Sequence, residues 1–150
     1  MSATDNMALA LSQAEMAMDK GEIPVGAVIV KDGAVIAKAH NLREKSGSVF
    51  AHAEAIAIEM ACKAVGGWRL DGCDIYVTLE PCPMCAGAII QARIANVYFG
   101  SYDRKNGAFG TVADLSSFKW THKPVVYGGI MEDECGALLK TFFSNLRAEG

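Results

Sequence analysis

Two cysteines in the segment TLEPCPMCAG, residues 78–87, are candidates for a metal-binding or redox site. Cys82 and Cys85 form a C-x-x-C pair directly behind a proline. This spacing is compatible with a redox pair, half of a structural metal site or a catalytic metal site. The chain contains 5 cysteines, an odd number without the spacing of a disulfide framework, so we expect thiols that are free or metal-bound.

A histidine and a glutamate form a second motif upstream, where His52 and Glu54 lie in the segment AHAEAIAI. The segments that start at His52 and at Cys82 are both predicted to begin helices. Backbone N–H groups at a helix N-terminus carry partial positive charge, which favours the thiolate form of a cysteine. Because Cys82 and Cys85 are three residues apart, both sulfurs can reach one ion, and His52 can supply a third ligand.

Such a ligand set leaves one position of a tetrahedral zinc ion open, which is typical of a catalytic site. Water in that position becomes acidic enough to act as a nucleophile. Glu54 could then move a proton from the water to the substrate and its leaving amine, which is the chemistry of hydrolytic deamination. A closed structural site would need a fourth ligand, and the remaining candidates lie in no second C-x-x-C or H-x₃-H unit. These candidates are Cys62, Cys73, Cys135, His40 and His122.

Helix and strand patterns alternate along the chain without a linker or repeat, so we expect one domain over residues 1–150. Apolar residues at helical spacing predict a helix over 4–20, and two β-branched runs about Asp32–Gly33 predict a hairpin of strands 25–31 and 34–40. The remaining predicted elements are a helix from His52 to the glycine pair at 66–67, a strand at 73–80, a helix at 82–94, a strand at 95–100, a loop from 101 to about 123, a strand at 124–127 and a helix at about 132–147. This order predicts a mixed sheet with helices on both faces.

The composition describes a weakly acidic chain, with a formal net charge of −3 and 51% hydrophobic residues. The net charge provides no global attraction for nucleic acid, so an RNA substrate would require a local basic patch. Candidates for such a patch are Arg43, Lys45, Arg104, Lys105, Lys119 and Lys123. We expect a cytoplasmic protein without a membrane span, because no run of about 18 apolar residues occurs and the start lacks the pattern of a signal peptide.

The H-x-E motif at residues 52–54 and the P-C-x-x-C motif at 81–85 together resemble the signature of zinc-dependent nucleobase deaminases. Further segments, among them GEIPVGAVIV, RIANVYFGSYDRKNGAFGT and ECGALLKTFF, are similar to successive blocks of the bacterial tRNA-specific adenosine deaminases, and the likeness covers nearly the whole chain. The resemblance implies a cytidine-deaminase-like fold, a three-layer α/β/α sandwich with a five-stranded mixed sheet. It also implies a homodimer with one zinc ion per subunit that converts the wobble adenosine of a tRNA anticodon to inosine.

The resemblance assigns a role to individual residues. It implies that His52, Cys82 and Cys85 hold the zinc and that Glu54 carries protons. By position in the similar segments, Asn41 resembles the residue that holds the base, and Asp103 lies in the loop that meets the RNA. The resemblance further implies substrate contacts by Pro24, Val25, Ala53, Leu79 and Pro81.

The chain departs from the family's pattern at two aromatic residues. Phe50 stands in Ser48-Val49-Phe50 where the family has Asp-Pro-Thr, and Phe109 stands where it has a small residue. We expect both near the substrate, either as walls of a tighter pocket for a free base or as stacking surfaces for an unpaired RNA base.

Two other functions therefore stay open beside deamination of tRNA. One is a deaminase of a free nucleobase or nucleoside such as guanine or cytosine, favoured by the acidic charge, Phe50 and Phe109. The other is a non-catalytic zinc scaffold subunit, against which Glu54 argues, because relatives that have lost activity typically lack this glutamate.

Overall fold

The first helix begins with hydrogen bonds between its terminal residues. In the computed structural model, which describes residues 2–149, the Asp5 N–H donates to the Ser2 hydroxyl and the Ser2 N–H donates to the Asp5 carboxylate, each at 3.1 Å. This reciprocal capping satisfies N–H groups that the first turn leaves without a partner. Helix α1 (Ala3–Asp19) buries an apolar stripe at helical spacing, as predicted: Met7, Ala10, Leu11, Ala14 and Ala17.

The strands form one mixed sheet in the order β2-β1-β3-β4-β5. Their bounds are Gly26–Lys31 for β1, Ala34–His40 for β2, Cys73–Leu79 for β3, Asn96–Ser101 for β4 and Val125–Tyr127 for β5. Strand β1 pairs antiparallel with β2 and β3, whereas β3 with β4 and β4 with β5 are parallel. Asp32 and Gly33, with φ of 50° and 79°, form the turn between β1 and β2, as a two-residue hairpin requires.

Helices cover both faces of this sheet. Helices α3 (Ala53–Val65) and α4 (Pro83–Gln91) pack on one face, and α1 and α5 (Glu132–Glu149) pack on the other. At Gly26 the backbones of β1 and α1 come so close that an added Cβ would lie 2.6 Å from the Ala14 nitrogen. The arrangement is the three-layer α/β/α sandwich that the sequence predicts. Among residues 2–149, no helix is both long and apolar enough to cross a membrane.

Two short elements were not predicted. Helix α2 (Arg43–Ser46) follows β2, and a 3₁₀ helix (Leu115–Ser117) lies inside the predicted loop 101–123. The four residues of α2 are polar and have no apolar period. A residue far away in the sequence stabilises this helix instead. The buried Glu22 carboxylate accepts hydrogen bonds from the N–H groups of Glu44 at 3.0 Å and Lys45 at 2.7 Å.

The topology brings several chain segments to one edge of the sheet. Strand β1 is antiparallel to both β2 and β3, so β2 and β3 run in the same direction, and β4 runs with them. The segments that follow β2, β3 and β4 therefore leave the sheet at the edge where β1 begins. Crevices outside the carboxyl ends of strands are common ligand sites in α/β sheets.

Candidate active site

Three potential metal ligands meet at this edge. His52 is the residue before α3, Cys82 is the residue before α4, and Cys85 lies in the first turn of α4. The His52 Nδ1 atom is 3.6 Å from the Cys82 Sγ and 3.5 Å from the Cys85 Sγ, and the three ligand atoms lie within 4.8 Å of one another. Among residues 2–149, no other cluster of three or more histidine, cysteine or acidic side chains has this geometry.

Within the described range, 2–149, no fourth histidine, cysteine or acidic side chain joins these three ligands. All five cysteines are free. The His40 ring lies between Gln13 Oε1 and Lys20 Nζ, each at 2.9 Å, and His122 Nε2 is 2.6 Å from the Ile94 carbonyl oxygen. The site has the open Cys₂His set of a catalytic centre, and the donors fit zinc in type and number.

Contacts among the ligands shift their pKa values when no metal is bound. Hydrogen bonding from the Cys85 thiol, with a further hydrogen bond from His52, lowers the pKa of Cys82 to about 4. The same contact with Cys82 raises the pKa of the Cys85 thiol, and burial raises it further. The hydrogen bond to Cys82 also raises the pKa of His52. A metal ion must displace the protons that these groups share, so its binding depends on pH.

An open cavity of about 130 Å³ lies beside the three ligands. Glu54, in the first turn of α3, lines this cavity and is only 4% exposed. When no metal is bound, burial raises the pKa of its carboxyl group to about 7, with a smaller contribution from the nearby Cys82 thiolate. A carboxyl group with this pKa can both accept and release a proton near neutral pH.

Five of the predicted substrate contacts line the cavity: Val25, Asn41, Ala53, Leu79 and Asp103. Asn41 is buried, and its Oδ1 accepts a hydrogen bond from the Arg43 N–H at 3.3 Å. Its NH₂ group makes no hydrogen bond to another residue within 2–149, so this donor is available to a ligand. The Asp103 Oδ1 accepts from the N–H groups of Lys105 and Asn106, which shapes the loop in which it lies.

The other four predicted contacts, Pro24, Pro81, Phe50 and Phe109, do not line the cavity. Pro24 is buried between Ile23 and Val25, which do line it, and Pro81 is buried in the turn before α4. Phe109 is 6% exposed and packs in the apolar core, so the expectation that it walls the pocket was wrong. Phe50 is 68% exposed in a turn before α3, so it also forms no wall.

Comparison with known proteins identifies the family. Residues 1–101 match the family model of the cytidine and deoxycytidylate deaminase zinc-binding region. The chain belongs to this deaminase family. It is 50% identical to the tRNA-specific adenosine deaminase of Bacillus subtilis (strain 168) over 139 residues, which is 92% of this chain and 86% of the relative.

Solved structures of deaminases superpose on this chain. A structure from work on A-to-I editing by tRNA:A34 deaminases at the wobble position superposes with a TM-score of 0.88 and 47% identity, covering 91% of this chain and 99% of the other. The guanine deaminase of Bacillus subtilis superposes with a TM-score of 0.65 and 34% identity, covering 81% and 88%. The protein is a zinc-dependent hydrolytic deaminase with a cytidine-deaminase fold.

Four residues of this deaminase line the cavity although they were not predicted as substrate contacts: Ile23, Arg43, Glu80 and Asn106. Arg43 appeared in the sequence only as a candidate for a basic patch. Glu80 immediately precedes the P-C-x-x-C motif, and that adjacency is the one signal that could have pointed to it. Asn106 and Ile23 are ordinary loop residues by sequence, so only the fold identifies them.

Proposed function

We propose that this deaminase converts adenosine to inosine at the wobble position of tRNA. The observation that carries the proposal is the likeness to the A34 deaminase, which extends over 91% of this chain and 99% of the other at 47% identity. The likeness to the guanine deaminase is lower by identity, by coverage and by TM-score. Because the fold alone hosts several substrates, the substrate assignment rests on this difference together with the charges around the cavity.

The side chains of the site have separate roles in a hydrolytic deamination. His52, Cys82 and Cys85 would hold the zinc ion. Bound zinc supplies Lewis acidity, which lowers the pKa of a water molecule enough for it to attack the purine C6 at neutral pH. The Glu54 carboxylate is buried in the cavity wall beside the ligands. It would take one proton from the attacking water and pass it to N1 of the ring. It would then carry a second proton, from the new C6 hydroxyl group, to the amino group, which leaves as ammonia.

The cavity offers a donor that would orient the base. Asn41 lines the cavity beside apolar side chains such as Val25 and Leu79, and its NH₂ group has no hydrogen-bond partner within residues 2–149. Apolar walls with a few polar groups are the usual composition of a small-ligand site. We propose that Asn41 fixes the orientation of the ring so that its C6 lies toward the metal.

Positive side chains near the cavity favour a nucleic acid over a free base. Arg43 lines the cavity, and Lys45 is exposed in the same short helix α2. Arg104 and Lys105 are exposed directly after Asp103, on the other side of the cavity. These cations concentrate at one edge of a chain whose net charge is −3, so they can contact phosphates that a free base lacks.

Deamination of a free purine is the second candidate, supported by the 34% identity to a guanine deaminase. The sequence argument for it depended on aromatic walls at positions 50 and 109. Phe109 packs in the core and Phe50 is exposed, so neither narrows the cavity for a free base. An exposed Phe50 is suited instead to stacking on an unpaired base of an RNA loop.

Ammonia release by the zinc-loaded protein tests the proposal. The substrates are a tRNA with adenosine at the wobble position, the same tRNA with guanosine there, and free adenine, adenosine, guanine and cytosine. We expect release only from the first tRNA, with inosine found at the wobble position by sequencing. Release from a free base and none from tRNA would refute the proposal and establish the second candidate.

We further propose a homodimer in the cytoplasm, where each chain acts as a single domain over residues 1–150. The support for the dimer is the family resemblance alone. The small side chains of the segment CAGA in α4 permit close helix packing, but they do so inside a monomer as well, where Cys85 and Ala86 are already buried. Sedimentation equilibrium measures the assembly state directly. A monomer at the concentration of the activity assay would contradict the proposed dimer.

A further inference from the structure

Glu80 is a buried carboxylate to which the proposed chemistry gives no part. It follows β3, precedes the Pro81-Cys82 turn and is 2% exposed. Within residues 2–149, no lysine, arginine or histidine forms an ion pair with it. A buried carboxylate without such a partner must be compensated by hydrogen bonds.

The compensation comes from one loop, residues 103–111, which follows β4. The Glu80 Oε1 atom accepts hydrogen bonds from the Asp103 N–H at 3.1 Å and the Thr111 hydroxyl at 2.5 Å. The Oε2 atom accepts from the N–H groups of Phe109 and Thr111, each at 3.1 Å. One side chain thus joins both ends of the 103–111 loop to the turn that carries the first cysteine ligand.

Gly107 permits this close approach. A Cβ at this position would lie 2.5 Å from Glu80 Oε1 and 2.6 Å from the Asp103 carbonyl oxygen, both closer than real Cβ contacts. The Ala108 N–H adds a bond to the Pro81 carbonyl oxygen at 2.9 Å. The loop is therefore packed directly against Glu80 and its neighbour.

The 103–111 loop forms one wall of the cavity through Asp103 and Asn106. The metal ligands belong to other elements, α3 and α4. Glu80 consequently acts on the substrate wall through the loop. Within residues 2–149, the loop is hydrogen-bonded to the ligand segment 81–85 only through the Ala108–Pro81 bond, and the three ligands are positioned by the starts of α3 and α4.

We propose that Glu80 is a positioning residue, whose carboxylate holds the 103–111 loop so that Asp103 and Asn106 form the wall against which the substrate binds. The inference rests on the proposed function for its substrate. Its consequence is that loss of the carboxylate weakens substrate binding while the metal content and the chemical step persist.

Glu80→Gln is the decisive variant. The amide NH₂ group of glutamine cannot accept a hydrogen bond. In the place of Oε2 it loses the bonds from the Phe109 and Thr111 N–H groups. In the place of Oε1 it loses the bond from the Asp103 N–H, because the Thr111 hydroxyl can turn to accept from the NH₂ group instead. Thr111→Val removes only the hydroxyl bond and serves as a milder variant if Glu80→Gln does not fold. The matched control is Asp114→Asn, because the Asp114 carboxylate accepts hydrogen bonds only from Ser116 within residues 2–149 and does not line the cavity.

The first measurement is amide hydrogen exchange of the zinc-loaded protein, which requires no substrate. In Glu80→Gln we expect exchange on the order of tenfold faster at the amides of Phe109 and Thr111, or at the amide of Asp103, according to which carboxylate oxygen the NH₂ group replaces. In Asp114→Asn we expect no change at these three amides. Unchanged exchange at all three amides in both Glu80→Gln and Thr111→Val would overturn the proposal.

The second measurement is the kinetics with wobble-adenosine tRNA. We expect Glu80→Gln to raise KM on the order of tenfold, with kcat within about threefold and an unchanged zinc content. In an Asp103→Ala background the same change should raise KM by only about twofold, because both substitutions disturb one wall. Full additivity of the two substitutions, or loss of zinc from Glu80→Gln, would show a merely structural role and overturn the proposal.

Failure of the proposed function can be distinguished from failure of the positioning role of Glu80. A wild-type protein that leaves tRNA unchanged but deaminates a small purine or pyrimidine would refute the tRNA assignment. The comparison of KM is then made with that compound, and an effect of Glu80→Gln confined to kcat or to zinc content would overturn the positioning role there as well.

Discussion

Replacement of Glu54 by glutamine separates the proton carrier from the metal ligands. Glutamine keeps the length and shape of the side chain, so the cavity wall that Glu54 forms should remain packed. It cannot accept and deliver protons as the carboxyl group does. General acid–base catalysis contributes roughly 10²- to 10⁴-fold in rate, so we expect kcat to fall by at least this factor, which is about 3–5 kcal/mol in the activation free energy.

Zinc content and stability should change little in Glu54→Gln. The three ligand atoms belong to His52, Cys82 and Cys85, so the zinc content should stay at one ion per chain. A carboxylate in the first turn of a helix stabilises the helix by about 0.3–1 kcal/mol. Burial opposes this, because it penalises the charged form and raises the pKa of Glu54 to about 7. We expect a net change in the free energy of unfolding within about 1 kcal/mol, or roughly 2–4 °C in Tm.

The assay combines single-turnover deamination, metal analysis and thermal unfolding of the same preparation. Glu59→Gln is the control, since Glu59 lies on the same helix α3 but is exposed. It should match the wild type in all three measurements. If Glu54→Gln retained a rate within tenfold of the wild type while holding zinc, Glu54 would not be the proton carrier.

Three further predictions concern other residues. Cys85→Ser should lose zinc and activity together, measured by metal analysis, and a fully occupied variant would contradict its role as a ligand. Phe50→Ala should raise the Kd for tRNA by roughly 5- to 150-fold if Phe50 stacks on a base, whereas Trp68→Ala, at the far end of α3, should leave it unchanged. Burial, followed by the positive charge of Lys20, lowers the pKa of His40 below 6.5, so the free energy of unfolding should decrease as the pH drops below that value. Urea titrations at pH 7 and pH 5 measure this decrease, which should be smaller in His40→Gln than in the wild type.

The metal centre could be predicted from the sequence because its determinants are local. The ligands are the residues at the starts of two helices, and both starts follow from composition and from the proline before Cys82. The spacing of apolar residues also predicts the helices and strands, and most predicted boundaries lie within a few residues of those in the structure. The open fourth position was also predictable, because no second ligand unit occurs in the chain.

The substrate walls could not be predicted in the same way, because they depend on contacts between distant segments. Phe109 is predicted near the substrate because it stands where the family has a small residue. Its N–H group is bonded to Glu80, 29 residues away in sequence, and its side chain packs in the core. Helix α2 was missed for a similar reason, because Glu22 holds it from a position before β1.

Two buried carboxylates thus fix the loops on opposite sides of the cavity. Glu22 holds the segment after β2 that carries Arg43, and Glu80 holds the segment after β4 that carries Asp103. Each carboxylate binds backbone N–H groups, so these hydrogen bonds remain when loop residues other than Thr111 and Gly107 change. The metal ligands, by contrast, are fixed by helix starts. A deaminase built this way can acquire a different substrate wall without disturbing its zinc site, which is consistent with the likeness of this chain to both a tRNA deaminase and a guanine deaminase.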